Sequence, residues 1–262
     1  MVIAVIALLA ALLLPVLANG RSRAHRTQCM SNLRQLTLTW VFYYDDNNDL
    51  LVANGIVPEG GNPSSKMWVQ GAFVNKPDVT NDGLVQDTKF SLFARYLKDA
   101  KVYRCPSDQS TMRLMSVDRP RVRSYALNSY TGWTGPWDSR LADWDAPSNQ
   151  PRYYRIYRKY TDMRNIRPSH LFTFQDVYPA SLCWPYFGVI NKDNRPDSFF
   201  NFPATKHERG GIVGFADGHV ERRAWTDPRT LAAEAADYHK HDQFSPNNPD
   251  LVWLKERSTE AR

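Results

Sequence analysis

His207, Asp217 and His219 are the residues whose types and closeness in this chain could do chemistry. Two imidazoles and a carboxylate could hold a divalent metal, as in a metal-dependent hydrolase, or act as an acid–base pair. Their setting favours a plainer role. Asp217-Gly218 joins two apolar-alternating runs, Ile212–Ala216 and His219–Trp225, and Asp-Gly is a strong signal for a two-residue type I′ hairpin turn. Val213, Phe215 and Val220 would then share one buried face. A carboxylate at such a turn bonds nearby backbone N–H groups, and His207 anchors the loop before the hairpin. The sequence holds no nucleophile elbow, no H-E-x-x-H and no phosphate loop. The expected protein is therefore not an enzyme and has no resident cofactor, with His207, Asp217 and His219 as the lesser, metal-binding alternative.

Three further groups of residues bear on function. Asp45-Asp46-Asn47-Asn48-Asp49 invites a calcium reading but lacks the Gly and distal Glu of an EF-hand loop, and a solvated helix end is preferred. Cys29, Cys105 and Cys183 lack C-x-x-C spacing; a Cys105–Cys183 disulfide and unpaired core cysteines stand as equal readings. Between Gly132 and Arg167, Trp133, Trp137, Trp144, Tyr153, Tyr154, Tyr157 and Tyr160 alternate with Arg, Asp and Pro without a period. Such a stretch packs an insertion onto the core, the preferred reading, or offers faces that stack on sugars. The second possibility makes the alternative function a secreted or membrane-anchored carbohydrate-binding protein using residues 133–160. The net charge of +6 is spread among acids, its densest group being only Arg119, Arg121 and Arg123, so no nucleic-acid partner is expected.

These residues must be positioned by the rest of the chain. Val2 to Ala18 is an uninterrupted apolar run, followed by Arg21, Arg23, His25 and Arg26. As a helix the run is about 26 Å long, near the lower limit for crossing a bilayer. Pro15 within it removes one backbone hydrogen bond. Cys29, Leu33, Leu36, Trp40 and Tyr43/Tyr44 keep a three-to-four spacing, so an amphipathic helix continues from the apolar one. Residues 54–66 read as a loop, 67–69 and 72–74 as short strands, 90–97 as a short helix, and 124–130 and 171–175 as strands, the last ending at Asp176. Asp227 and Pro228 should open a helix reaching about Lys240. The polar tail from Gln243 is expected to be loosely attached, although Leu251, Trp253 and Leu254 could dock.

Residues 2–36, VIAVIALLAALLLPVLANGRSRAHRTQCMSNLRQL, resemble the N-terminal helix of prepilin-like proteins, the pseudopilins of bacterial type II secretion and type IV pili. Cys105-Pro106-Ser107-Asp108 and SYALNSY (124–130) are similar to segments common in that group. His207, nine intervening residues and Asp217-Gly218 match its short C-terminal signature. The resemblance spans most of the chain outside roughly 132–160. It implies an α+β, pilin-like fold in which a long N-terminal helix packs on an antiparallel sheet carrying long loop insertions. The implied divisions are a membrane-spanning part (1–18), an amphipathic continuation (19–50), a β-rich globular part (51–226, with insertion 132–167 and hairpin 202–225), and a C-terminal helix and tail (227–262).

The implied role is a structural subunit, single-pass in the bacterial inner membrane, with its globular part periplasmic. Val2, Ile3, Val5, Ile6, Leu8, Leu9, Leu12, Leu13, Pro15 and Leu17 would make the membrane and filament contacts. The implied partners are other pilin-like subunits, the secretion or pilus machinery and a prepilin peptidase. In that family the helix follows a peptidase site, Gly then Phe-Thr-Leu-Ile-Glu, which is absent here, so a natural start upstream of Met1 is the preferred reading. Such a start would also remove a conflict, since Arg21, Arg23 and Arg26 after the apolar run would otherwise hold the bulk of the chain in the cytoplasm.

Overall fold

Apolar residues three and four apart make one helix face sticky, and α1, Val2–Asp46, is a single 45-residue helix about 68 Å long. The computed structural model describes residues 2–74, 76–145, 148, 150–192, 197–232 and 241–262, with the side chains of 2–13, 15, 16, 18, 19, 76 and 144 outside that description. Most of the proposed assembly residues, from Val2 to Leu13 and Pro15, therefore lie outside the described side chains. Leu17 is described and is exposed, as is Leu14. Among the described residues no helix is long and apolar enough to cross a membrane. Farther along α1, Cys29, Leu33, Leu36 and Trp40 are fully buried, while Ser31, Arg34 and Gln35 on the opposite face are exposed. The helix stops where Asn48 and Asp49 take positive φ. There Asp46 accepts a hydrogen bond from the Tyr96 hydroxyl and Asp49 one from Thr161 N–H.

The buried face of α1 lies on a five-stranded sheet. Its strands are β1 (Tyr125–Asn128), β2 (Phe172–Asp176), β3 (Tyr186–Phe187), β4 (Gly210–Phe215) and β5 (Val220–Ala224), in the order β5-β4-β2-β1-β3. Three pairings are antiparallel, but β3 runs parallel to β1, with Leu127 opposite Tyr186. The sheet is thus mixed, which corrects the wholly antiparallel expectation. A parallel neighbour needs a long crossover, and residues 129–185 supply one. The class is α+β, as expected.

Both faces of β4 are covered, so its residues are buried without alternation. One face meets α1, where Gly214 lies against Thr37. The other meets α2, Pro249–Glu256, through Phe215 and Trp253 at 6.3 Å and Trp225 and Trp253 at 5.8 Å. The tail from Gln243 is therefore built in rather than loose. Asn248 caps α2 by accepting from Asp250 and Leu251 N–H, and the Asp250 carboxylate accepts from Thr226 and Asp227 N–H. Asp227 and Pro228 do open a helix, Pro228–Leu231, and the expected extension to Lys240 runs into residues 233–240, outside the described residues.

Two local expectations are corrected. Residues 67–69, 72 and 73 are buried and Val74 half-buried, but 67–69 and 72–74 form no strands beyond a bridge from Met67 to Ser91; Gln70 turns its amide on the loop at Asn62 and Ser65 instead. The expected helix at 90–97 shrinks to a 3-10 turn, Phe93–Arg95. The preferred reading of 132–167, an insertion packed onto the core, holds for the buried aromatics among its described residues. Trp133 and Tyr157 are fully buried and Trp137 nearly so, with Trp133 packed on Trp137 at 4.7 Å and on Tyr186 at 5.0 Å. Tyr157 exchanges backbone bonds with Tyr130 and Gly132 just beyond β1, which draws the stretch into the core.

Candidate functional site

β-Register brings the site together. Tyr125 at the start of β1 stands opposite Asp176 at the end of β2. Directly opposed residues project to the same face, here the face under α1. Cys29 of the helix comes down on both: its Sγ is 3.0 Å from the Tyr125 hydroxyl and 3.8 Å from Asp176 Oδ2.

Cys105 arrives through the turn Cys105-Pro106-Ser107-Asp108, closed by Asp108 N–H donating to Cys105 C=O at 2.9 Å. Asp108 fastens that turn on two sides. It accepts from the Ser124 hydroxyl beside β1 at 2.8 Å and from Lys206 Nζ at 3.0 Å. Burial pushes the Asp108 carboxyl up, but Lys206 and the Ser110 and Ser124 donors outweigh it and hold the group below the usual range.

His207 completes the cluster from the segment entering β4. Ala204 N–H donates to Asp176 C=O, and His207 and Gly210 exchange backbone bonds across Glu208 and Arg209, both at positive φ. Two consecutive side-chain-bearing residues in that region are uncommon and need outside support. Arg222 provides it, donating to the carbonyls of His207 at 2.8 Å and Glu208 at 2.6 Å. His207 Nε2 is thereby held 3.2 Å from Cys105 Sγ and 3.2 Å from Asp176 Oδ2.

The four donor atoms of Cys29, Cys105, Asp176 and His207 all lie within 4.8 Å of one another, and no residue is more than 2% exposed. Three acidic groups thus compete for one basic one in a buried site. Burial, aided by Cys105 and Asp176, pushes the Cys29 thiol well up. Burial likewise lifts Asp176 to about 8. Burial opposes charge on His207 too, but its bonds to Asp176 and Cys105 prevail and raise it to about 9. Cys105 moves down, first through the Cys29 hydrogen bond and then through His207. These shifts favour the charged forms of His207 and Cys105 and the protonated forms of Cys29 and Asp176.

The sequence expectation located one member of this cluster. His207 is in it, whereas Asp217 and His219 pair with each other at 2.5 Å in an exposed turn where His219 stacks on Phe215. The expected His207–Asp217–His219 grouping is thereby replaced by one drawn from positions 29, 105, 176 and 207. No local motif joins these positions; only the isolated Cys-Pro-Ser-Asp segment and the strand ending at Asp176 hinted at them. The hairpin at Asp217-Gly218 is present but not as a two-residue turn. Phe215 pairs with His219 and Gly218 alone has positive φ, 90°, which makes a three-residue loop with Gly at its left-handed position. All three cysteines are free, so the Cys105–Cys183 disulfide is excluded in favour of unpaired core thiols, Cys183 lying beside His241 at 3.2 Å.

No family model, curated protein or solved structure matches this chain. What the cluster can do follows from its geometry. Cys105 and Asp176 both address Nε2 of His207, whereas a nucleophile–base–orienter triad uses two different imidazole nitrogens. Two surface clefts, of about 610 and 690 Å³, contain none of the four residues in their linings. A buried cluster with one nitrogen shared between two acidic partners suits holding over turnover.

Proposed function

We propose that this chain is a non-enzymatic, pilin-like subunit of a bacterial type II secretion or type IV pilus-like system, assembling through α1. The observation that carries the reading is the division of one continuous helix. Leu14 and Leu17 stand 67% and 71% exposed, whereas Cys29, Leu33, Leu36 and Trp40 are completely buried in the globular part. An apolar stretch extending beyond its own domain needs a cover, and a bilayer or neighbouring apolar helices supply one. The rigid lower half of α1 carries any pull on the upper half into the sheet. Arg26, within the basic cluster that follows the apolar run, is tied to the domain by an ion pair with Glu208 at 2.6 Å.

In this reading the chain is anchored in the inner membrane with its globular part on the periplasmic side, and it meets other pilin-like subunits and the assembly machinery. The carbohydrate-binding alternative has less support, because Trp133 and Trp137 keep their faces in the core. Cross-linking tests the reading. The three native cysteines are buried, so Leu17→Cys introduces an accessible thiol. Oxidation in native membranes is expected to give covalent dimers from Leu17→Cys and none from Arg34→Cys, on the domain's outer helix face. A Leu17→Cys protein that leaves the membrane fraction uncross-linked would count against assembly through this helix.

A further inference from the structure

We propose that Cys29, Cys105, Asp176 and His207 form a tetrahedral zinc site that pins the long helix to the sheet. The donor geometry carries the argument. With Zn–S near 2.3 Å and Zn–N or Zn–O of about 2.0–2.1 Å, tetrahedral ligand atoms stand roughly 3.3 Å apart for N and O, about 3.5 Å for S with N or O, and ~3.8 Å for two sulfurs. The structure has 3.2 Å between His207 Nε2 and Asp176 Oδ2, 3.2 Å between Cys105 Sγ and His207 Nε2, and 3.8 Å between Cys29 Sγ and Asp176 Oδ2. Three of the six donor pairs thus stand within about 0.3 Å of the required spacing, and all four atoms lie within 4.8 Å of one another.

Their chemistry agrees. Two sulfurs, an imidazole and a carboxylate form a mixed donor set that suits Zn²⁺, with no open position for substrate. Without a cation, Cys105 and Asp176 share a single imidazole nitrogen that can donate fully to only one of them. A bound Zn²⁺ replaces that competition with four bonds, and the protons on the Cys29 thiol, the Asp176 carboxyl and His207 Nε2 leave to solvent. Two thiolates, one carboxylate and Zn²⁺ sum to a single negative charge. The Tyr125 hydroxyl, 3.0 Å from Cys29 Sγ, is placed to donate to it as an outer support.

The ligands come from four separate parts of the chain: α1, the Cys105–Asp108 turn, the end of β2 and the approach to β4. One ion would therefore close several long loops at once, and its binding energy would become folding energy. The inference does not depend on the assembly reading, since it concerns how the helix is held and not what it is held for.

Cobalt is the probe. The full-length protein, in detergent with all thiols reduced, is titrated with Co²⁺. The expected result is a thiolate-to-cobalt charge-transfer band and intense tetrahedral d–d bands, saturating at one equivalent and abolished by one equivalent of Zn²⁺. Cys105→Ser and Asp176→Asn should each lose the one-equivalent tetrahedral spectrum. Cys183→Ser, whose sulfur lies beside His241, should keep it. Tyr125→Phe retains all four ligands and should weaken binding by roughly 10–100-fold. Near-UV circular dichroism of each metal-free variant establishes that it is folded. The proposal is overturned if folded, reduced protein gives no charge-transfer band, if the band depends on Cys183 and not Cys105, or if the native protein carries a Cys29–Cys105 disulfide.

Discussion

Gly214 offers the sharpest probe of how the helix is seated. It lies in β4 with no side chain, and a Cβ placed there would stand 2.3 Å from Thr37 Oγ1 and 3.5 Å from Thr37 Cβ. Thr37 cannot easily swing away. It is fully buried and β-branched, and its hydroxyl donates to Leu33 C=O at 2.9 Å. Gly214→Ala must therefore lift α1 from the sheet or force Thr37 off its rotamer, an overpacking cost of about 1–3 kcal/mol. Thr37→Ala removes the obstructing oxygen. By itself it loses one hydrogen bond and gains helix propensity, so it should change stability by less than about 1 kcal/mol. The double variant should then recover most of the Gly214→Ala loss, a coupling on the order of 1–2 kcal/mol. Urea unfolding of the four proteins, followed by tryptophan fluorescence, measures the cycle. Strict additivity, or a Gly214→Ala protein as stable as the parent, would refute the seating of α1 on β4.

Three further outcomes follow from the same structure. Asp138 accepts from Arg140 Nε and Nη2 and from the Tyr186 hydroxyl; burial raises its carboxyl, but these donors prevail and hold it below the usual range. Its contribution to stability is thus complete above the unfolded carboxyl pKa of about 4 and fades as pH falls through the lower folded value; Asp138→Asn should flatten that part of the stability–pH curve, and parallel curves would be a failure. Gly218 sits at φ 90°, so Gly218→Ala should cost about 1–2 kcal/mol and Gly218→Asn less, read by thermal unfolding. Trp133→Ala should cost about 3–5 kcal/mol, whereas Tyr153→Ala, at an exposed ring, should be nearly neutral; equal effects would contradict the burial of the aromatic stretch.

How much of this was legible in the sequence depended on whether the determining contacts were local. The three-to-four spacing of Cys29, Leu33, Leu36 and Trp40 announced a buried helix face, because helical period is a property of neighbours. Asp217-Gly218 announced a hairpin for the same reason. Its loop length was misread because the stacking of His219 on Phe215 extends the ladder only as far as that pair and leaves three residues to turn. Met67, Trp68 and Val69 have strand-like composition, yet among the described residues they find only the Met67–Ser91 bridge, and pairing is not written in a short apolar run.

The cluster was illegible for the opposite reason. Its four donors are separated by 76, 71 and 31 positions, the differences between 29, 105, 176 and 207. They meet only because Tyr125 and Asp176 face one another across two strands and because Asp108 pins the Cys105 turn to Ser124 and Lys206. His207 drew attention through a linear pattern, and that pattern supplied the wrong companions, Asp217 and His219. The tail shows the same limit. Leu251, Trp253 and Leu254 mark an apolar helix face, but the covered second face of β4 that receives it is visible only once the sheet is built.

The most direct measurement of the central claim is the N-terminal peptide of the native protein, identified by mass spectrometry from the membrane fraction of its own host. Assembly through a processed helix predicts a methylated phenylalanine a few residues ahead of Met1, followed by the apolar run intact. A mature chain beginning at Asn19 would mean that Val2 to Ala18 is removed, leaving no apolar helix to assemble and contradicting the account.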